Sequence, residues 1–344
     1  MKTIVLAGGG TAGHIMPHIN LKPYLDKYFD KVVYIGTTGG MEKKIVQEHG
    51  GFEYYEINAA KFNRKNIFKN ILLPFRFIKS VNQAKLILKD THPSIVFSKG
   101  GYGALPVVIA ASKLKIPVVA HESDLSLGLA NKISKKYSKY ICTSFEKTAK
   151  KVGKKGIYTG SPSKIVTAKA NIKSSKPVLL ITGGSLGAMA INKAVWQSAK
   201  NLSQKFYVIH QVGKNKINKE LNFKDYVQIE FSNSMPELIN RADLVVSRAG
   251  SNTIFELAIA QKPMLLIPLP KGVSRGDQVD NAKYFQEKGY AKILLQENLT
   301  ANTLQNAINE LFLHKNKYIN TLKNAKISNG TQKIIDILVK NAKK

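Results

Sequence analysis

Short runs of β-branched and aromatic residues recur along the chain, each followed by a polar turn and a stretch with helical spacing. The first set is "KTIVLA" (2–7), "KVVYIG" (31–36), "FEYYEI" (52–57), "SIVFSKG" (94–100), "IPVVAHE" (116–122), "KYICTS" (139–144) and "GIYTG" (156–160). Near-continuous apolar runs alternating with helices predict parallel strands covered on both faces. A polar, turn-rich stretch, "GSPSKIVTAKANIKSSKP" (160–177), interrupts the rhythm, which restarts with "VLLITGGS", "FYVIHQ", "VQIEF", "DLVVSRAG", "PMLLIPLP" and "YAKILL". From about Leu299 the pattern reads as successive helices. The expectation is an α/β protein of two doubly wound, Rossmann-like parallel-sheet domains, residues 1–162 and 163–328, facing across a cleft. A final helix, 329–344, could pack back on the first of them.

Four glycine-rich turns follow strands in this pattern: "GGGTAGH" (8–14), "SKGGYGALP" (98–106), "TGGSLGA" (182–188) and "SRAGSNT" (247–253). A glycine turn that opens a helix presents unpaired N–H groups and the positive end of the helix dipole, which suits phosphate. The first turn has the G-x-G-x-x-G spacing at Gly8, Gly10 and Gly13, but the second strand ends "YIGTT" and offers no carboxylate for a ribose diol. A dinucleotide site needs that acid. Asp30 precedes the strand and Glu42 lies in the next helix. The third turn spells G-x-S-x-G at Gly183, Ser185 and Gly187, the spacing of a nucleophile elbow, but Asp243, His210 and His314 fit a triad poorly in order. A backbone phosphate loop is the better reading. Glu256 follows "RAGSNTIF" in the first turns of a helix, where a carboxylate can accept two vicinal ribose hydroxyls. "PLPKGVSRGDQVDNA" (268–282) sets Arg275, Asp277, Gln278 and Asn281 at the same edge, and such groups suit sugar hydroxyls.

Composition narrows the partners. The chain of 344 residues carries a formal charge of +31, almost all of it from Lys, alongside many Asn and Ile residues. That charge points to anionic partners or to compositional bias, and no nucleic-acid-binding motif accompanies it, so no nucleic-acid partner is expected. No apolar run approaches the roughly 20 residues that span a bilayer. The lone Cys142 supports neither a disulfide framework nor a thiolate zinc site. The expected setting is cytoplasmic. His14 and His18 have a metal-like spacing without a third ligand, and neither a metal nor another cofactor is expected.

In this order, "GGGTAGHIMP", "FSKGGYGALPVVIAA", "HESDLSLGLANK", "TGGSLGA", "SRAGSNTIFE" and "RGDQVDNA" resemble the peptidoglycan N-acetylglucosaminyltransferases of the MurG type. The resemblance covers nearly the whole chain. It implies the two-domain GT-B fold and an inverting transfer of GlcNAc from UDP-GlcNAc to the C4 hydroxyl of undecaprenyl-diphospho-muramoyl pentapeptide. Two alternatives share the fold: a glycosyltransferase with another lipid or antibiotic acceptor, and a UDP-GlcNAc epimerase. Carried onto this chain, the family pattern implies that Glu256 holds the ribose and that Ser251, Asn252 and Thr253 face the nucleotide sugar. It further implies that Ser185 and its glycines cradle the diphosphate, that Asp277 and Gln278 meet GlcNAc hydroxyls, and that backbone near Phe231 and Ser232 faces uracil. Thr11, Ala12, Gly13, Asp124 and Lys164 complete the implied donor contacts. Gly13, His14, Gly100, Gly101 and Tyr102 are the implied holders of the acceptor diphosphate. Three positions depart from the family: Ala12 replaces a glycine, Asp124 stands where Asn is common, and Lys164 stands where Arg is usual, reducing a bidentate phosphate contact to a point charge.

His14 is the candidate general base, with phosphate binding as its rival role. The chain has no D-x-D motif, so helix N-termini and cationic side chains are expected to take the leaving diphosphate's charge. A lipid acceptor implies a visit to the cytoplasmic face of the bacterial membrane. The stretch "KFNRKNIFKNILLPFRFIK" (61–79), basic and apolar without an acid, is the expected peripheral contact with the anionic surface, through Phe68, Leu72 and Phe75.

Overall fold

The structure is a computed structural model that describes residues 1–59, 71–164, 167–272 and 275–343. The chain divides into two compact units, Met1–Ser163 with Ser328–Lys344, and Lys164–Ile327.

The first domain holds seven parallel strands: β1 (Thr3–Gly8), β2 (Lys31–Thr37), β3 (Glu53–Ile57), β4 (Ile95–Gly100), β5 (Val118–Glu122), β6 (Tyr140–Thr143) and β7 (Gly156–Tyr158). Their order is β3-β2-β1-β4-β5-β6-β7. Helices α1 (Ala12–Leu25), α2 (Glu42–His49), α3 (Leu73–Thr91), α4 (Ala104–Lys113), α5 (Leu129–Tyr137) and α6 (Glu146–Val152) connect them. The second domain begins its sheet with β8 (Val178–Thr182), followed by α7 (Met189–Lys205), β9 (Tyr207–Gln211), β10 (Tyr226–Ile229), α8 (Met235–Arg241) and β11 (Leu244–Ser247). It continues through α9 (Ser251–Ile259), β12 (Met264–Leu266), α10 (Asp277–Glu287), β13 (Lys292–Ile293), α11 (Ala301–Leu313) and α12 (Lys315–Asn324). The strand order there is β10-β9-β8-β11-β12-β13. The closing helix α13 (Thr331–Asn341) returns to the first domain.

Strand alternation explains why both faces are covered. In β1, Ile4 and Leu6 point to one side and pack with Ile15, Leu21 and Leu25 of α1 and with Ile334, Ile335 and Leu338 of α13. Val5 and Ala7 point to the other and meet Val81, Ala84 and Leu88 of α3 and the apolar face of α4. α13 is anchored at its start, where Gly330 donates to the Ser161 carbonyl at 2.9 Å. Burying its three branched side chains favours that return by several kcal/mol, at about 1.5–3 kcal/mol per side chain.

The topology also fixes where a ligand can sit. In each sheet the strand order reverses beside the first strand, between β1 and β4 and between β8 and β11. Crevices at such switch points, at the carboxyl ends of the strands, are the ligand sites of open α/β sheets. All four glycine turns follow these four strands.

Candidate active site

In the first domain, β1 ends in the Gly9–Gly10 turn, where Gly10 adopts φ +92°. Thr11, in extended backbone, caps α1, so Ala12, Gly13 and His14 form its first turn. The His14 Nδ1 lies 3.1 Å from the Gly9 carbonyl oxygen and 3.1 Å from Thr11 Oγ1. A carbonyl only accepts, so Nδ1 carries the proton and Nε2 is the basic nitrogen of the neutral ring. The second glycine turn closes on the first. Gly100 and Gly101 take φ +79° and +85°, and a Cβ on Gly101 would strike the Gly9 carbonyl. Tyr102 lays its ring against Gly10, and its hydroxyl is 3.4 Å from Thr37 Oγ1.

Behind these turns sit charged groups that the sequence pattern did not reveal. Glu42, fully buried at the start of α2, accepts from the Gly10 N–H at 2.9 Å and from Thr37 Oγ1 at 3.1 Å. Glu42, set aside in the sequence because it lies in the helix after β2, thus reaches back to the first glycine turn. Buried and committed to a backbone amide, it does not serve a ribose. Lys99 occupies the register shift between β1 and β4, and its Nζ lies 2.6 Å from both His121 Nδ1 and Ser123 Oγ. Burial lowers its pKa to about 7, against the opposing pull of Glu122 and Asp124. Glu122 shapes the following loop, accepting from the Asp124 N–H at 3.1 Å, the Gly128 N–H at 2.8 Å and Asn131 at 3.0 Å. His18 is no ligand partner for His14. Its ring is buried edge-on to Tyr34 and Phe97, and burial holds its pKa well below the usual value.

In the second domain the turn after β8 exposes Ser185, while Gln211 steadies it with a bond to the Gly184 carbonyl at 3.1 Å. Gly187 is required by contact, because a Cβ there would collide with the Val212 carbonyl. The hydrolase reading fails on geometry. Asp243 accepts from the Val178 N–H at 2.7 Å, at the opposite end of β8 from Ser185. His210 is buried between the Tyr226 hydroxyl at 2.9 Å and Asn192 at 3.1 Å.

After β11, Gly250 opens α9 with Ser251, Asn252 and Thr253 in its first turn. Glu256 falls one turn later, over Asn252 and Thr253. Burial raises its pKa to about 7, and among the described residues no hydrogen bond or ion pair engages its carboxylate. Around it, Arg248 is spent on the carbonyls of Ile267 at 3.1 Å and Pro268 at 3.3 Å and on Gln296 at 2.6 Å, so it braces loops. Gln278 accepts from the Leu269 N–H at 3.0 Å through its amide oxygen. Asp277 lies 3.7 Å from Arg275. Ser232 accepts from the Ser234 N–H at 3.1 Å beyond β10, beside the exposed Phe231. Lys164 opens this domain as an exposed side chain.

The chain matches the glycosyltransferase family 28 N-terminal domain over residues 4–143 and the C-terminal domain over residues 178–338. A protein of Clostridium botulinum (strain Loch Maree / Type A3), named UDP-N-acetylglucosamine--N-acetylmuramyl-(pentapeptide) pyrophosphoryl-undecaprenol N-acetylglucosamine transferase, is 44% identical over 100% of both chains. The chain belongs to glycosyltransferase family 28, in its MurG branch. A relative of the same name from Clostridium tetani (strain Massachusetts / E88) is 41% identical over 98% of each chain. The fold of this family 28 chain also matches a crystal structure of MurG from Acinetobacter baumannii, with TM-score 0.76 and 24% identity over 99% of this chain and 100% of that one. Among the described residues no three His, Cys, Asp or Glu side chains gather as a metal site, and no helix is long and apolar enough to cross a membrane.

Proposed function

We propose that this family 28 glycosyltransferase moves GlcNAc from UDP-GlcNAc to the C4 hydroxyl of undecaprenyl-diphospho-N-acetylmuramoyl pentapeptide, with inversion at C1. The observation that carries this reading is Glu256, a carboxylate with no partner among the described residues, one turn inside a glycine-opened helix at a switch point. A ribose diol supplies two hydroxyl donors to such a half-buried acceptor. The uridine diphosphate then runs along the opening of α9 and the Ser185 turn, and Gln278 and Asp277 meet the sugar. Asp124, Lys164 and the Thr11–Gly13 turn are its remaining contacts, with backbone beside Ser232 toward uracil.

The acceptor diphosphate is assigned to the first domain, on the N-terminus of α1 at Gly13 and His14 and on Gly100, Gly101 and Tyr102. In the transfer the C4 oxygen bonds to C1 as the bond from C1 to the phosphate oxygen breaks. The hydroxyl proton passes to His14 Nε2, and UDP departs with its charge met by backbone N–H groups and the α9 dipole. The tautomer set by the Gly9 carbonyl supports the base role.

The lipid acceptor draws the protein to the cytoplasmic face of the membrane. Phe68 lies outside the described residues. Leu72 and Phe75 are 56% and 72% exposed, with Ile71 and Ile78 exposed beside them. A groove of about 520 Å³ lined by Lys132, Lys135, Lys136, Lys154 and Lys155 offers cations to anionic head groups. Labelled UDP-GlcNAc mixed with the undecaprenyl-linked muramoyl pentapeptide tests the whole reading. Acceptor-dependent UDP release with label in the lipid is expected. Turnover of UDP-GlcNAc without acceptor points instead to an epimerase.

A further inference from the structure

The Gly9–Gly10 turn is held from two sides of one peptide unit. Its N–H, on Gly10, donates to Glu42 Oε1 at 2.9 Å. Its C=O, on Gly9, accepts from His14 Nδ1 at 3.1 Å. In a trans peptide these two groups point in opposite directions, so a carboxylate, a peptide and an imidazole lie in one hydrogen-bonded chain. The surroundings leave the chain little freedom. A Cβ on Gly9 or Gly40 would strike the Glu42 carboxylate, one on Gly101 would strike the Gly9 carbonyl, and Thr37 adds a second donor to Glu42 at 3.1 Å.

We propose that Glu42 is a positioning residue for the transfer, acting on His14 through the Gly9–Gly10 peptide. The inference rests on the base role given to His14 above. A negative carboxylate on the N–H polarises the peptide and strengthens the Gly9 carbonyl as an acceptor. That favours the proton on Nδ1, leaves Nε2 to face the acceptor hydroxyl, and stabilises the imidazolium formed when Nε2 takes the proton. The part played is that of the acid in a serine-protease triad, with a peptide interposed. Titratable neighbours do not compete for this role. Burial, and after it the Glu42 charge, raises the pKa of Tyr34 on β2 and Tyr54 on β3 and keeps both neutral, and His18 on α1 is held neutral by burial. Lys99 on β4 and Tyr102 after it also lie beside these turns, and Lys99 changes charge near pH 7. A readout specific to His14 is therefore needed.

The test combines ¹⁵N NMR of the His14 ring with kinetics of Glu42→Gln, Glu42→Ala and His14→Ala in the full-length chain. In the wild type, Nδ1 should carry the proton in the neutral ring. Glu42→Ala should shift the ring toward the Nε2–H tautomer, and both Glu42 variants should lower kcat by roughly 10- to 100-fold. Losing the carboxylate charge removes support for imidazolium, so the His14 ring pKa should fall in Glu42→Gln. UDP-GlcNAc affinity should change less than kcat does, because the donor is assigned chiefly to the other domain and meets the Thr11–Gly13 turn only at its edge. In the His14→Ala background, Glu42→Gln should cost little more. An unchanged His14 spectrum in both Glu42 variants overturns the proposal, as does a full Glu42→Gln effect in the absence of His14. If His14→Ala alone turns over near-normally, the base assignment itself fails, whereas a crippled His14→Ala beside a normal Glu42→Gln sinks the relay only.

Discussion

Two carboxylates, Glu42 and Glu256, stand beside the switch points of two similarly wound sheets, and their circumstances are opposite. Glu42 is enclosed and already bonded to the glycine turn it supports. Glu256 is held near pKa 7 by burial, and among the described residues no hydrogen bond or ion pair engages its carboxylate. The glycines that open the helices beside these acids repeat the contrast, for a Cβ on Gly10 would press on Tyr102 whereas one on Gly250 would meet nothing within 4 Å. A turn already packed from within favours a role in holding a catalytic group. A turn with open space above it favours a ligand.

The largest expected effect separates the two turns by function. His14→Ala should lower kcat at least about 100-fold, the size of a lost general base, with little change in UDP-GlcNAc affinity. Equal losses in kcat and donor affinity would erase the distinction between the domains. Glu256→Ala should do the converse, weakening UDP-GlcNAc binding by roughly 10- to 100-fold, the loss of hydrogen bonds to a charged group. Its pH signature has a definite sign. The ionised carboxylate accepts both hydroxyls, so wild-type affinity should rise as pH climbs through about 7 and then level off. Titration calorimetry of Glu256→Gln should show this dependence flattened, and an unaltered profile would remove Glu256 from the site.

Glycine substitutions give a smaller and more discriminating effect. Gly10→Ala combines φ +92° with a contact on Tyr102, so it should destabilise the first domain by about 1–2 kcal/mol and depress kcat. Gly250 has φ −66° and open space, and Gly250→Ala should change stability by no more than ~0.5 kcal/mol. Weakened UDP binding in a stable Gly250→Ala protein would mark the close approach of a ligand. Unaltered binding would place the diphosphate farther from that turn.

Much of this contrast was legible in the residues, and the missing part has a physical reason. Apolar runs with period two announce strands, and the glycine turns after them announce the switch points, because both signals are local in sequence. Glu256 was legible for the same reason, lying nine residues after the end of β11 with its helix opening between. Glu42 was passed over because its partner, Gly10, is 32 residues away and across β2. Lys99 reads as one more surface lysine in a chain with 53 Lys and Arg residues, until the β1–β4 register shift turns it inward. The G-x-S-x-G spacing around Ser185 already fits a triad poorly from chain order, and the parallel sheet agrees by putting Ser185 and Asp243 at opposite ends of a strand.

The smallest expected effect concerns stability, and it sets the two domains against each other around neutrality. Lys99 has its pKa lowered from 10.5 to about 7 in the fold. Between those values the unfolded chain binds a proton that the folded one does not, so this group makes the first domain more stable as pH rises from 7 toward 10.5. Glu256 has its pKa raised from 4.5 to about 7. Between those values the folded chain holds the extra proton, so the second domain loses stability as pH rises from 4.5 to 7 and does not recover it above 7. Each domain carries its own probe, since the chain's single Cys142 is buried in the first and its single Trp196 lies in the second. Thiol trapping of Cys142 in urea should report a midpoint that rises between pH 7 and 9, and Lys99→Met should flatten that rise. Trp196 fluorescence should report a midpoint that falls between pH 5 and 7, with Glu256→Gln removing much of the fall. If both probes moved together with pH in the wild type and in both variants, the domains would unfold as one unit. The local charge environments of Lys99 and Glu256 would then not be what distinguishes the two domains.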